Sequence, residues 1–95
     1  MNYTSDDKFI YNKNKTEIVK YYKNETSVVI PEGVEKIGNM AFHGKSITNV
    51  TIPNTVKEID DSFNYCEDLT SITIPNSVEK INIGCFEFCD NLTQI

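Results

Sequence analysis

An isoleucine-proline pair recurs every 22 residues in this chain, and this period limits the possible folds more than any other feature. The prolines are Pro31, Pro53 and Pro75, and each begins a segment that continues to a Val-x-x-Ile pattern. A repeat of roughly 20 to 50 residues cannot bury its apolar face alone, so neighbouring repeats must stack to form a continuous core. The sequence therefore predicts a β-rich solenoid.

Three repeats are predicted, at 28–49, 50–71 and 72–94, and Ile95 would begin a fourth. Apolar and polar residues alternate at the start of each repeat, which is typical of a short strand with one buried face. The apolar columns are Val28, Val50 and Ile72; Ile30, Ile52 and Ile74; Val34, Val56 and Val78; Ile37, Ile59 and Ile81; and Phe42, Phe63 and Phe86. We expect one short strand in each 22–23-residue coil, and a parallel, concave sheet formed by these strands.

The remainder of each coil also has a predicted conformation. Each proline should end its strand, since it has no N–H with which to continue the ladder. The Val-x-x-Ile pieces should form shorter convex strands. The turn around each Phe should be helical or 3₁₀, which would point Phe63 and Cys66 inward because residues three apart share a face.

Charged residues between the Val and Ile columns alternate in sign from one repeat to the next. One column contains Glu35, Lys57 and Glu79, and the adjacent column contains Lys36, Glu58 and Lys80. Stacked coils would bring like charges within about 5 Å of each other, whereas alternation makes each neighbouring pair attractive. We expect these columns to favour one register of stacking.

The chain is predicted to be a single repeat domain, 1–95, with atypical ends. Residues 1–8 are short and polar, which favours a disordered tail. Residues 9–25 contain two β-rich runs separated by turn-forming residues; they do not match the repeat pattern and are predicted to be a hairpin cap. At the other end the strand pattern stops at Ile95 without a polar cap. We expect a truncated array or end-to-end self-association through this last coil.

The segment from Leu69 through Val78, continuing through Ile81 to Phe86 and Cys89, resembles the BspA-type leucine-rich repeat. The resemblance covers about residues 26–95, and the hairpin is similar to the segment that often precedes such arrays. It implies a bacterial or protist surface or secreted protein implicated in adhesion to host or matrix proteins. The chain departs from the pattern at Gly44 and Lys45, which stand where the Cys column should be, and at Asp60 and Asn82, where a glycine is usual.

The residues most suggestive of chemistry have simpler structural interpretations. Cys66 and Cys89 share a column and Cys85 precedes a Phe, so a ladder of buried thiols is predicted, with a Cys66–Cys89 disulfide as the alternative. His43 follows a buried Phe and should point outward, away from Cys66. There is no Gly-rich phosphate loop, Ser/His/Asp set or four-ligand metal pattern. We predict no enzyme, cofactor or metal site.

Charge excludes other classes of partner. Nine basic and fourteen acidic residues give a net charge of −5, so the chain lacks the basic surface that nucleic acids require. No apolar run approaches the roughly 20 residues of a membrane span. The first residues do not form a signal peptide. Acidic residues near the Phe turns are expected to form a solvated edge, with a calcium site as the alternative.

The outward face of the predicted strands is the candidate binding surface. It is neutral and rich in hydroxyl groups, and it consists of Val29, Thr48, Asn49, Thr51, Thr70, Ser71, Thr73 and Thr93. Solenoids often bind proteins through such extended faces, although threonine also suits strands for structural reasons. Two hypotheses stay open: a protein-interaction module of a surface or adhesion-type protein, and a spacer or fragment of a longer array without a binding role.

Overall fold

The computed structural model describes residues 2–95, whose strands form two sheets. The strands are β1 Tyr3–Ser5, β2 Phe9–Asn12, β3 Glu17–Tyr21, β4 Ser27–Val29, β5 Lys36–Ile37, β6 Asn49–Thr51, β7 Glu58–Ile59 and β8 Lys80–Ile81, and a 3₁₀ helix spans Ile83–Phe86. One sheet has the order β1-β2-β3-β5-β7-β8, and the other pairs β4 with β6. No helix in the described part of the chain is long and apolar enough to cross a membrane.

The repeats stack in parallel with the register that the proline period predicts. Val28 pairs with Val50 in one sheet and Ile37 with Ile59 in the other, each 22 residues apart. The third strand of the β4-β6 side is reduced to a parallel bridge between Ser71 and Gln94. The predicted solenoid, with a parallel sheet and a second set of short strands, is confirmed. We call β4, β6 and this bridge the threonine sheet, and β5, β7 and β8 the charge sheet.

The aligned apolar columns form the core. The buried residues include Val34, Ile37, Val56 and Ile59, and also Val28 of β4 and Val50 of β6. Burying one such side chain stabilises a fold by about 1.5–3 kcal/mol, so stacking supplies what a single coil lacks. The third coil is less covered, since Ile74, Val78, Phe86 and Leu92 are only partly buried.

A ladder of aromatic rings runs through the turns of successive coils. Phe63 stacks on Phe42 with centroids 5.0 Å apart and on Phe86 at 5.9 Å, and the rings are within 12° of parallel. In the third coil the turn is the predicted 3₁₀ helix, Ile83–Phe86. In the first coil it is a turn closed by a hydrogen bond from the Ala41 N–H to the Gly38 carbonyl, 3.2 Å. The inward Phe column is therefore confirmed.

The charge columns align as predicted. Glu58 pairs with Lys36 on one side and with Lys80 on the other. The Lys36 Nζ lies 3.8 Å from the Glu58 carboxylate. Because both side chains are about one-third exposed, this pair contributes only about 0.2–1 kcal/mol. Its role is to favour this register over a slipped one.

The prediction of a disordered tail at residues 1–8 is wrong for the residues that the structure describes; Met1 lies outside them. β1 pairs antiparallel with β2, so the cap has three strands. The Asp6 carboxylate accepts hydrogen bonds from the N–H groups of Lys8 and Phe9 at 2.9 and 2.8 Å and from the Tyr11 hydroxyl at 2.7 Å. These bonds close the turn between the strands, and a polar sequence gives no apolar signal for them.

The cap also continues the repeat, contrary to the expectation that it does not match the pattern. Ile18 of β3 pairs in parallel with Ile37, and the Tyr21 N–H donates to the Ala41 carbonyl at 2.9 Å. The Tyr21 ring lies 5.1 Å from Phe42 and so extends the aromatic ladder by one step. Sequence alignment missed this because Ile18 and Tyr21 are three residues apart, whereas the corresponding residues of the repeats are four or five apart.

Asp60 and Asn82, which stand where the repeat usually has a glycine, keep the same backbone hydrogen bond as Gly38. The N–H groups of Gly38, Asp60 and Asn82 each donate to the carbonyl of the isoleucine one coil earlier, at 2.9–3.1 Å. A glycine is needed only in the first coil, since a Cβ on Gly38 would lie 2.7 Å from the Ile18 carbonyl oxygen of the cap.

Candidate binding face

The strands of the threonine sheet place one column of side chains outward in consecutive coils. Val29, Thr51 and Thr73 are exposed, and Val29 is 69% accessible, while their neighbours Val28 and Val50 are buried. This alternation follows from the two-residue period of a strand. The three outward residues form a neutral row across the coils.

A second column of the predicted face has a structural role. The hydroxyl groups of Thr48, Thr70 and Thr93 each donate to the carbonyl of the threonine one coil earlier, at 3.1, 3.4 and 3.3 Å. The first acceptor is Thr26, which lies outside the predicted face. These hydroxyls are therefore engaged within the solenoid, and only their methyl groups are left for a partner.

The column of Asn49 and Ser71 also makes contacts within the solenoid. The Asn49 Nδ2 donates to the Ser27 hydroxyl at 3.0 Å, and Ser71 is half-buried at the bridge with Gln94. Ser27 is exposed and precedes the buried Val28, so it belongs to the same face. The period alone could have identified it, since Ser27 lies 22 residues before Asn49.

The threonine sheet opens between its second and third coils. The Ile30 N–H donates to the Thr51 carbonyl at 2.9 Å, but among residues 2–95 no corresponding backbone bond joins Ile52 to Thr73. These coils are joined at the strand start, by the Thr70 N–H and the Thr48 carbonyl at 3.3 Å. The opening is a cleft of about 470 Å³, lined by Val50, Thr51, Ile52, Asn54, Thr73, Ile74, Pro75 and Asn76.

A hydroxyl group next to the cleft also makes a contact between the first two coils that is missing between the second and third. Thr55 joins the first two coils, since its hydroxyl donates to the Val34 carbonyl at 2.8 Å and accepts from the Gly33 N–H at 3.2 Å. Its counterpart Ser77 has a buried hydroxyl oxygen without a hydrogen-bond partner in the described part of the chain. The second and third coils therefore lack the pair of hydrogen bonds that the Thr55 hydroxyl makes between the first two.

The three cysteines are buried and free, as the thiol-ladder prediction requires. The Cys66 and Cys89 thiols donate to the carbonyls of Phe42 and Phe63, one coil earlier, at 3.0 and 2.9 Å. Burial raises the pKa of the Cys66 thiol to about 12 and that of Cys85 to about 11. Thiols that stay protonated at neutral pH are poor nucleophiles and metal ligands.

His43 is half-buried rather than fully outward. Its Nδ1 lies 3.0 Å from the Asn64 Oδ1, and its ring meets Tyr65 edge-on at a centroid distance of 5.2 Å. Within residues 2–95, no group of three or more His, Cys, Asp or Glu side chains is placed to hold a metal ion.

Known proteins resemble this chain over almost its whole length. A sequence profile for the BspA type leucine rich repeat region, a model that spans six copies of the repeat, matches residues 9–95. A leucine rich cell surface protein from Faecalibacterium prausnitzii superposes with a TM-score of 0.83 at 33% identity, and a leucine-rich repeat protein from Eubacterium ventriosum with a TM-score of 0.57 at 20% identity. Each alignment covers 98% of this chain, which spans 30% and 39% of those two chains. No curated protein sequence matches the chain significantly.

Proposed function

The chain belongs to the BspA-type leucine-rich repeat family, and on that premise we propose that it is a non-enzymatic protein-interaction module. The outward surface of the threonine sheet, which we call the threonine face, would bind another protein. The observation that carries this proposal is the exposed neutral row of Val29, Thr51 and Thr73, which borders an open cleft. Repeat proteins bind partners through extended surfaces of this kind. A cleft of about 470 Å³ lies within the usual size range of binding pockets, roughly 300–1,000 Å³.

The chemistry of the cleft favours an uncharged, extended segment of the partner. None of its lining residues carries a charge, and Val50, Ile52 and Ile74 contribute apolar surface. Between Ile52 and Thr73 the strand edges are not joined, so backbone groups on both sides are available to a peptide. A strand that enters an open sheet edge gains main-chain hydrogen bonds, and its alternate side chains provide specificity.

We propose further that the protein acts at the cell surface in adhesion. The neighbour from Faecalibacterium prausnitzii is described as a leucine rich cell surface protein, and it shares 33% identity with this chain. A stack of coils suits this task because adding coils extends the binding face without changing the core.

The proposal assigns no catalysis to the chain. The thiol that could act as a nucleophile, Cys66, is buried and donates to the Phe42 carbonyl, and burial raises its pKa to about 12. The imidazole of His43 is engaged by Asn64 and Tyr65 rather than by a nucleophile.

A spacer without a binding role is the second candidate, and one observation favours it. The hydroxyls of Thr48, Thr70 and Thr93 bond to neighbouring coils, so threonine is explained there by stability alone. Thr51 and Thr73 separate the two candidates, because stacking does not require their exposed side chains.

Surface plasmon resonance against a set of purified extracellular-matrix proteins tests the proposal. We expect wild-type protein to bind at least one of them, and the double variant Thr51→Lys, Thr73→Lys to lose at least tenfold in affinity. The control double variant Asn2→Lys, Asn14→Lys adds the same charge at exposed positions of the cap and should bind like wild type. If the Thr51→Lys, Thr73→Lys variant binds as tightly as the control variant, the threonine face is not the site. Failure of wild type to bind any member would favour the spacer.

A further inference from the structure

Aromatic rings outside the core form a second, exposed stack along the turns. Tyr65 and Phe88 stack with centroids 4.6 Å apart and 17° between their planes, and His43 meets Tyr65 edge-on at 5.2 Å. Tyr65 is 45% exposed and Phe88 is 51% exposed. We call these three residues the aromatic ridge. They lie in the turns, outside the strands of both sheets.

The backbone of the ridge is strained where it carries the two large rings. Tyr65 and Phe88 have φ angles of 63° and 61°, in the left-handed region that bulky residues avoid. The corresponding residue of the first coil is Gly44, with a φ of 69°. A glycine therefore fits this turn without strain, yet the next two coils place exposed aromatic residues there. Strained backbone of this kind concentrates at functional sites.

The sequence on both sides of the two large rings of the ridge is acidic. The sequence has no lysine or arginine from 58 to 79 or from 81 to 95. The exposed carboxylates next to the two rings in the sequence are Glu67, Asp68, Glu87 and Asp90. The backbone places Glu87 beside Tyr65, since the Tyr65 N–H donates to the Glu87 carbonyl at 2.9 Å.

We propose that the aromatic ridge and its acidic flanks bind a lysine- or arginine-rich segment of a partner protein. Cationic side chains are attracted to the faces of aromatic rings, which carry negative charge density, and arginine also stacks on these faces. The neighbouring carboxylates supply complementary charge, which steers a basic segment toward the ridge and favours it over acidic competitors. This site is independent of the threonine face, because it consists of other residues and because its flanks are charged, whereas the threonine face is neutral.

The test measures binding of a fluorescent ten-residue peptide of alternating arginine and glycine by anisotropy. The main variant is Tyr65→Gly, Phe88→Gly, which keeps the net charge and gives both turns the residue of the first coil. We expect at least a tenfold increase in Kd, with a melting temperature within a few degrees of wild type because relief of strain offsets the lost stacking. Tyr3→Gly removes an exposed aromatic residue of the cap, 58% accessible, and should leave Kd unchanged.

A second double variant and a second peptide test the proposal even if the Tyr65→Gly, Phe88→Gly variant folds poorly. The variant Glu67→Gln, Asp90→Asn keeps both rings, and we expect it to weaken binding several-fold and to reduce the salt dependence. A peptide of alternating serine and glycine should not bind. The proposal is overturned if wild type does not bind the arginine peptide or if the serine peptide binds equally well. It is also overturned if a folded Tyr65→Gly, Phe88→Gly protein binds like wild type, since charge attraction alone would then explain the binding.

Discussion

Replacing Phe63 by leucine tests whether the aromatic ladder holds the coils together. Phe63 is fully buried and stacks on Phe42 at 5.0 Å and on Phe86 at 5.9 Å. Leucine keeps an apolar side chain at the position but removes both ring pairs. Each pair contributes about 0.5–1.5 kcal/mol beyond its buried area, and a swap between apolar side chains of similar volume usually costs less than about 1.5 kcal/mol.

The two pairs together contribute about 1–3 kcal/mol and the swap adds up to about 1.5 kcal/mol, so the expected loss is about 1–4 kcal/mol in the free energy of unfolding, against a total of roughly 5–15 kcal/mol for a domain. In a chain of this length that lowers the melting temperature by about 5 °C or more. Urea titration followed by circular dichroism gives the free energy, and the slope of the transition should stay the same, because the exposed surface of the unfolded chain is unchanged.

Phe88→Leu is the matched control, since Phe88 also stacks on a ring, Tyr65 at 4.6 Å, but is 51% exposed. Partial solvation should limit its loss to less than about 1 kcal/mol. If Phe63→Leu unfolds within 0.5 kcal/mol of wild type, or no earlier than Phe88→Leu, the ladder does not stabilise the stack, and this reasoning is wrong.

Three further predictions follow from other contacts. Gly38→Ala should cost about 1–3 kcal/mol in urea unfolding, because the added Cβ lies 2.7 Å from the Ile18 carbonyl oxygen; an unchanged transition would mean that the cap does not seat there. Burial raises the pKa of Cys66 from 9.0 to about 12, so the contribution of this thiol to stability should be constant below pH 9 and be lost above it, as the thiol of the unfolded chain ionises. Cys66→Ala should therefore show a shallower loss of stability above pH 9, and an equal loss would refute the role of this thiol. Burial opposes but does not prevent a lowered pKa at Asp6, which accepts bonds from two N–H groups and the Tyr11 hydroxyl. Wild type should therefore lose stability as the pH falls through and below 3.8, and Asp6→Asn should lose less, whereas parallel acid titrations of the two proteins would contradict this.

The sequence predicts those parts of the fold that its period determines. Successive coils pair in the same register, so the apolar columns and the alternation of Lys36, Glu58 and Lys80 could be read from alignment alone. Turn-forming residues predicted the hairpin of β2 and β3, but β1 and the place of the cap in the stack could not be found from the sequence. β1 depends on the Asp6 carboxylate, and Tyr21 enters the aromatic ladder by contact across the sheet rather than by spacing.

The candidate sites depend on how the coils differ, which a period does not describe. The row of Val29, Thr51 and Thr73 was predictable, because outward direction follows from strand alternation. The cleft was not, since it requires a few missing hydrogen bonds between two coils with similar sequences. Tyr65 and Phe88 are visible in the sequence at the position of Gly44, but their left-handed backbone appears only in the structure.

The most direct test of the proposed function is a map of the bound protein by nuclear magnetic resonance. Labelled chain would be titrated with the extracellular-matrix protein that it binds, and the backbone amide signals followed. The account predicts that the largest changes fall on Val50, Thr51, Ile52 and Thr73, around the cleft, while the exposed Lys57 on the side of the charge sheet stays unchanged. Changes confined to the charge sheet, with none around the cleft, would contradict the threonine face as the binding surface.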